Sequence, residues 1–135
     1  MDLQAAMRIA SSGMKAQSSR LRVVAENLAN TESTANTPGG EPYRRKTITF
    51  DNALDRASGL ELVRVKRYGT DNSELQQRHM PGHPAADAAG YVSLPNVNPF
   101  IELMDMREAQ RSYEANLNTM QSARSMLQRT LDILR

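Results

Sequence analysis

The stretch LQAAMRIASSGMKAQSSRLRVVAENL, residues 3–28, decides the fold. Leu3, Met7, Ala10, Met14, Gln17, Leu21, Val24 and Leu28 recur at alternating steps of three and four, which sets them along one side of an α-helix. A row sustained this long asks for a partner helix across a seam. The far end repeats the pattern: Met106, Tyr113, Met120, Leu127 and Leu134 form one row, with Leu103, Leu117 and Leu131 alongside. Nothing comparable runs through the middle. Apolar rows at both termini with an unrelated segment between them make a chain built to assemble.

The first helix is expected from about Asp2 to Asn30, roughly 40 Å at ~1.5 Å per residue. Asp2 complements the positive end of the helix dipole. Gly13 is the weak point, costing ~1 kcal/mol relative to Ala. Asn30 tolerates the left-handed conformation that ends many helices. A second row of mostly small residues, Ala5, Ile9, Ser12, Ala16, Ser19 and Val23, lies nearly opposite the first. Arg8, Lys15, Arg22 and Glu26 occupy a narrow strip between the rows. Two arrangements fit. In one, a plain helical hairpin leaves the small row facing water; in the other, the helix is enclosed from two sides. Gln17, Gln110 and Arg124 interrupt the rows, either as buried groups that fix register or as seam-edge residues whose long stems cover apolar surface.

The middle begins with turn chemistry, Thr37-Pro-Gly-Gly-Glu-Pro42, which cannot continue a helix. Thr47–Phe50, Glu61–Tyr68 and Gly90–Pro95 read as short strands. Asp51–Ser58 is left between short helix and loop, and Gly69–His79 is too polar for a firm strand assignment. Asn98-Pro99 opens the second helix, with Asn as cap and Pro in the first helical position, and the helix runs to Arg135.

Composition narrows the function. Of 135 residues, 17 are basic and 15 acidic, giving a net charge of only +2 with interleaved signs. That balance argues against a nucleic-acid module. There is no cysteine to form a disulfide or a thiolate metal site. No apolar run approaches the ~20 residues of a membrane span, and no basic-then-apolar leader marks a cleaved signal. His79 and His83 share a metal-like spacing, but Pro81 and Gly82 between them forbid a common helix face, even with Asp87 near. Arg44-Arg45-Lys46 reads as a solvated strand end or a contact for an acidic neighbour. No catalytic pairing, phosphate loop or cofactor motif is present, so no catalytic, cofactor or metal residue is assigned and no enzyme is expected.

Two motifs carry a resemblance. Leu21-Arg-Val-Val-Ala-Glu-Asn-Leu-Ala-Asn30 is similar to the N-terminal signature of the flagellar axial (rod, hook and hook-associated) proteins. Asn96-Val-Asn-Pro-Phe-Ile-Glu-Leu-Met-Asp-Met106, with Tyr113-Glu114-Ala-Asn116, is similar to their C-terminal signature. Pro81-Gly82-His83-Pro84, with Asn96 and Asn98, resembles the proximal-rod members in particular. The resemblance marks Asn27, Asn30, Pro81, Gly82, His83, Pro84, Asn96, Asn98, Tyr113, Glu114 and Asn116 as signature residues. It implies a basal-body component of the periplasmic rod, exported by the flagellar type III apparatus without a cleaved signal. The implied partners are the rod proteins FlgB, FlgF and FlgG, the adaptor FliE and further copies of the chain, with neither nucleic acid nor membrane span.

The expected fold is mainly α: long terminal helices (1–30 and 96–135) form a coiled-coil-like pair around a β-rich insert (31–95). The expected function is a structural drive-shaft subunit. Its assembly surface would comprise Leu3, Met7, Ala10, Met14, Leu21, Val24, Leu28, Ile9, Ala16 and Val23 of the first helix. From the second helix it would take Leu103, Met106, Tyr113, Leu117, Met120, Leu127, Leu131 and Leu134. A soluble adaptor or chaperone that binds a client through the same seam is the alternative. Tails that are frayed alone and ordered on assembly are expected.

Overall fold

The computed structural model describes residues 2–135. Its elements are α1 (Leu3–Ala29), β1 (Lys46–Asp55), β2 (Leu60–Thr70), β3 (Gln76–His79), β4 (Tyr91–Leu94) and α2 (Pro99–Ile133). Helices take 46% of the chain and strands 22%. The fold is therefore two long terminal helices with antiparallel strands between them, mixed α and β rather than mainly α.

The ends of the helices are set by side chains. Asp2 does more than supply charge: its Oδ1 accepts the N–H groups of Gln4 at 3.0 Å and Ala5 at 3.1 Å, a true N-cap. The left-handed end expected at Asn30 does not occur, since every described residue with positive φ is a glycine. Instead Asn30 Nδ2 donates to the Glu26 carbonyl at 2.8 Å and Thr31 Oγ1 to the Leu28 carbonyl at 2.7 Å, satisfying acceptors the last turn leaves open. At α2, Asn98 Oδ1 accepts the Phe100 N–H at 3.0 Å, the cap its sequence calls for. This helix stops at Ile133, two residues before Arg135.

The strands are longer than the sequence suggests. β1 continues through 51–55, because the reversal is fixed only at Asp55. There Ser58 Oγ donates to Asp55 Oδ2 at 2.6 Å, and the Gly59 N–H donates to the Asp55 carbonyl at 2.8 Å. Gly59 takes φ of 68°, a conformation glycine adopts without a Cβ penalty. So short a connection makes β1 and β2 antiparallel. The polar stretch before His79 does contain a strand, β3, which pairs with β4 in the register Gln76↔Leu94 to His79↔Tyr91. Cross-strand partners stabilise it where hydrophobicity does not: the His79 and Tyr91 rings meet edge to face at 5.0 Å.

The chain forms two compact units, which divide both helices. One holds α1 up to Leu21, Ile48–Arg67 and Arg107–Arg135; the other holds Arg22–Thr47 and Tyr68–Met106. In the first, α1 and α2 run antiparallel, with Gly13 against Asn116 and Arg20 Nη2 on Glu108 Oε2 at 3.4 Å. A Cβ on Gly13 would fall 2.8 Å from Asn116 Nδ2. Gly13 is thus the close-approach point of the seam and not merely its weak residue. Arg8 Nη1 reaches Asp55 Oδ2 at 3.9 Å, which brings the hairpin turn to a different side of α1. Ala10 and Met14 of the first row and Ala16 of the row nearly opposite are all buried here. Enclosure from two sides therefore occurs, and in this unit the chain supplies both covers itself.

In the second unit Val92 of β4, Ala85 and the α1 residues Val23 and Val24 are buried. With Ala16 and Val23 covered, the arrangement that leaves the small row facing water is ruled out. The polar interruptions also separate. Gln110 and Arg124 are exposed, as seam-edge residues would be, whereas Gln17 is half-buried with its Oε1 enclosed.

Gly13 generates a test. Ala at 13 gains ~1 kcal/mol of helix propensity but must displace the Asn116 amide. Gly13→Ala should therefore be neutral or destabilising in the parent chain and stabilising by ~1 kcal/mol in an Asn116→Ala background. Denaturant unfolding of the four proteins measures the coupling.

Candidate functional site

The second unit is held by a buried chain of polar groups. Asn27, in the last turns of α1, is 1% exposed. Its Oδ1 accepts the Tyr43 hydroxyl at 2.7 Å and the Lys46 N–H at 2.8 Å; its Nδ2 donates to the Lys46 carbonyl at 2.9 Å and to Glu102 Oε2 at 3.2 Å. The side-chain amide behaves as a peptide unit would, pairing both backbone groups of the first β1 residue. All of its hydrogen-bonding capacity is used.

Glu102, in the first turn of α2, is fully buried. Its other oxygen, Oε1, accepts Arg45 Nε. Arg45 also faces Asp105 at 3.6 Å and Asp71 at 4.0 Å. Its backbone N–H donates to Asn96 Oδ1 at 2.8 Å, and Asn96 Nδ2 donates to the Asp71 carbonyl at 2.9 Å. The middle of the basic run is therefore no solvated strand end, since only 24% of the Arg45 side chain is exposed. It is the acidic-neighbour contact, made within the chain.

Lys46 Nζ sits 2.8 Å from Glu26 Oε2. This contact holds the Glu26 carboxyl below its ordinary range and pushes the Lys46 ammonium up. Hydrogen bonds from the Ser73 backbone and hydroxyl lower Asp71. Burial raises the Tyr43 phenol.

The Pro81–Asp87 motif is loop architecture. His83 Nδ1 accepts the Ala85 N–H at 3.1 Å, and Asp87 Oδ1 accepts the N–H groups of Ala89 and Tyr91, both at 2.9 Å. His79 and His83 thus serve a strand pair and a turn. Gly90 has φ of 84°, and a Cβ there would crowd His79 Nε2 at 3.0 Å. Gly82 meets nothing within 4 Å, and nothing in the structure explains glycine there. Asn96 and Asn116 are half-buried with bonded amides, Pro81, Pro84 and Glu114 are exposed, and Tyr113 is half-buried.

The residues expected on the assembly surface fall into three groups. Ala10, Met14, Ala16, Val23 and Val24 are buried within the chain. Leu3, Met7, Leu21, Leu28, Met106, Tyr113, Leu117, Met120 and Leu127 are half-covered. Ile9, Leu103, Leu131 and Leu134 are exposed, joined by five large residues of α2 that the periodic rows omit: Phe100, Ile101, Met104, Met126 and Ile133. The deepest α2 positions are instead Glu102, Ala109 and Ala123. With half-buried Asn116 they form a line in steps of seven. Hydrophobicity alone missed it because its members are small or polar.

Both ends of the chain match known protein families. Residues 7–39 match the family model described as "Flagella basal body rod protein", and residues 88–133 match "Flagellar basal body rod FlgEFG protein C-terminal". The chain is 52% identical over 133 residues to the flagellar basal-body rod protein FlgC of Agrobacterium fabrum, covering 98% of this chain and 96% of that one. It is 39% identical to FlgC of Borreliella burgdorferi, covering 99% of both chains, and 40% identical to FlgC of Salmonella typhimurium, covering 93% and 92%.

Two outcomes follow from the polar chain. Arg45→Met strands a fully buried carboxylate on one amide and should cost ~3–5 kcal/mol. Glu102→Gln leaves Arg45 its two other carboxylates and should cost only ~1–2 kcal/mol. Equal losses in denaturant unfolding would refute this asymmetry. The lowered carboxyls of Glu26, Asp55 and Asp71 contribute stability that is present above the unfolded carboxylate range and lost as pH falls through their folded values. Melting temperature should therefore drop on acidification below that range, and Lys46→Ala should flatten part of the drop.

Proposed function

The chain belongs to the FlgC family of flagellar basal-body rod proteins, structural subunits of the rod and not enzymes, and we propose that its terminal helices build the wall of a tubular drive shaft. The observation that carries this reading is the exposure of large apolar side chains on α2. Phe100 is 79% exposed and Met104 72% at one end, and Ile133 is 84% exposed at the other. Burying such a side chain is worth ~1.5–3 kcal/mol, and clusters of this kind mark interaction surfaces.

In the proposed assembly, near-axial helices of neighbouring subunits lock laterally through these residues and the half-covered rows. Torque then passes between subunits by packing, without chemistry. The tube encloses the export channel, and the 31–95 insert lies outside the helical core. Contacts that repeat from subunit to subunit without closing produce such a filament. The neighbours are further copies of the chain and the rod proteins FlgB, FlgF and FlgG, with FliE at the export gate. Export by the flagellar type III apparatus delivers the subunit to the periplasm. The helix ends complete their order on assembly, when neighbours cover the apolar residues left exposed there, Ile9, Leu131, Ile133 and Leu134. The names of the relatives favour this over a client-binding adaptor.

Phe100→Asp and Met104→Asp test the reading. Both residues are exposed, so unfolding free energy should shift by no more than about 0.5 kcal/mol. Rods should be absent from basal bodies seen by electron microscopy, and cells should not swim. Intact rods and retained motility would overturn the proposal.

A further inference from the structure

Beside the polar chain lies an open cleft of about 540 Å³, bordered by Arg22, Glu26, Lys46 and the end of β2 at Tyr68–Thr70. Its two cations are not equivalent. Lys46 is committed to Glu26 at 2.8 Å. Arg22 Nη2 donates to the Tyr68 hydroxyl at 3.1 Å, and among the described residues Arg22 forms no ion pair. The tyrosine fixes one edge of the guanidinium, leaving the remaining N–H donors to a ligand. Val23 closes the apolar floor.

We infer that this cleft receives one carboxylate from a helix of a neighbouring, non-identical rod subunit. The inference rests on the rod reading above and deepens it. Charge sets the number: Arg22 and Lys46 against Glu26 leave one net positive charge, so a single carboxylate is matched. A phosphate or polyanion meets the Glu26 carboxylate. Position sets the source. Arg22 lies on the strip of α1 that also carries Arg8, Lys15 and Glu26, where three cations stand against one carboxylate.

A second copy fits poorly. The exposed α2 carboxylates of this chain are Glu108, which already holds Arg20, Glu114, three residues from Arg111, and Asp132, three residues from both Arg129 and Arg135. Each would carry its own cation toward the basic strip. The cleft is large enough for a whole Glu or Asp side chain with part of the turn that bears it, and a bidentate guanidinium–carboxylate contact fixes orientation as well as identity.

The experiment uses the full chain expressed in the flagellated cell. Purified Arg22→Ala should melt as the parent does, since the side chain is at the surface, while swimming is impaired. Arg22→Glu should abolish swimming. Revertants of Arg22→Glu, selected for motility, should carry an Asp or Glu changed to Lys or Arg in another rod protein. Normal swimming of both variants overturns the inference. So does a lowered melting temperature of Arg22→Ala, which would make the contact internal. Revertants confined to this chain, or none from a saturating library, overturn it as well. None of these failures touches the outcome for Phe100 and Met104, so the rod reading stands or falls separately.

Discussion

One side-chain amide constrains the second unit. Asn27 binds the backbone of Lys46 through both its donor and its acceptor while holding Glu102 and Tyr43. Few residues could replace it. Aspartate has no donor for the Lys46 carbonyl and adds a negative charge beside the Glu102 carboxylate. Serine is too short to span α1, β1 and α2 at once. Alanine leaves several buried groups unpaired, each costing ~1–3 kcal/mol. The end of α1, the start of α2 and the beginning of β1 are thus fixed together by a residue with no apolar surface to bury.

The same preference for fit over hydrophobic mass runs along the helices. Glu102, Ala109, Asn116 and Ala123 on α2 and Gly13, Arg20 and Asn27 on α1 recur in steps of seven. Gly13–Asn116, Arg20–Glu108 and Asn27–Glu102 are the contacts they make. A heptad line of small and polar residues brings backbones close and turns the larger residues to its flanks. Hence Met106, Tyr113, Leu117 and Met120 are only half-covered.

Much of this was legible in the sequence. The steps of three and four in α1, the Asn98-Pro99 cap and the strands around Phe50, Val65 and Val92 all follow from local chemistry. The misses share a cause. Arg45, Glu102 and Asn27 are charged or polar residues whose burial is decided by partners far along the chain, and no local pattern encodes that. Gly13 looks like a defect unless Asn116 is known to face it. β3 is polar and exists because β4 presents a matching edge. Asn27, Asn96 and Asn116, which the family resemblance marks, all have hydrogen-bonded amides.

The division of labour between polar and apolar residues bears on what kind of part this is. A buried ion pair often does little more than offset its own desolvation, so the Arg45–Glu102 contact is not a large net source of stability. Relying on such contacts lets the subunit leave Phe100, Met104 and Ile133 uncovered. A soluble monomer under no other demand would bury them and be more stable. In the assembly proposed above, a subunit that must meet neighbours on several faces would gain from the reverse: polar specificity within the chain would define the shape, and the exposed apolar area would supply the association energy.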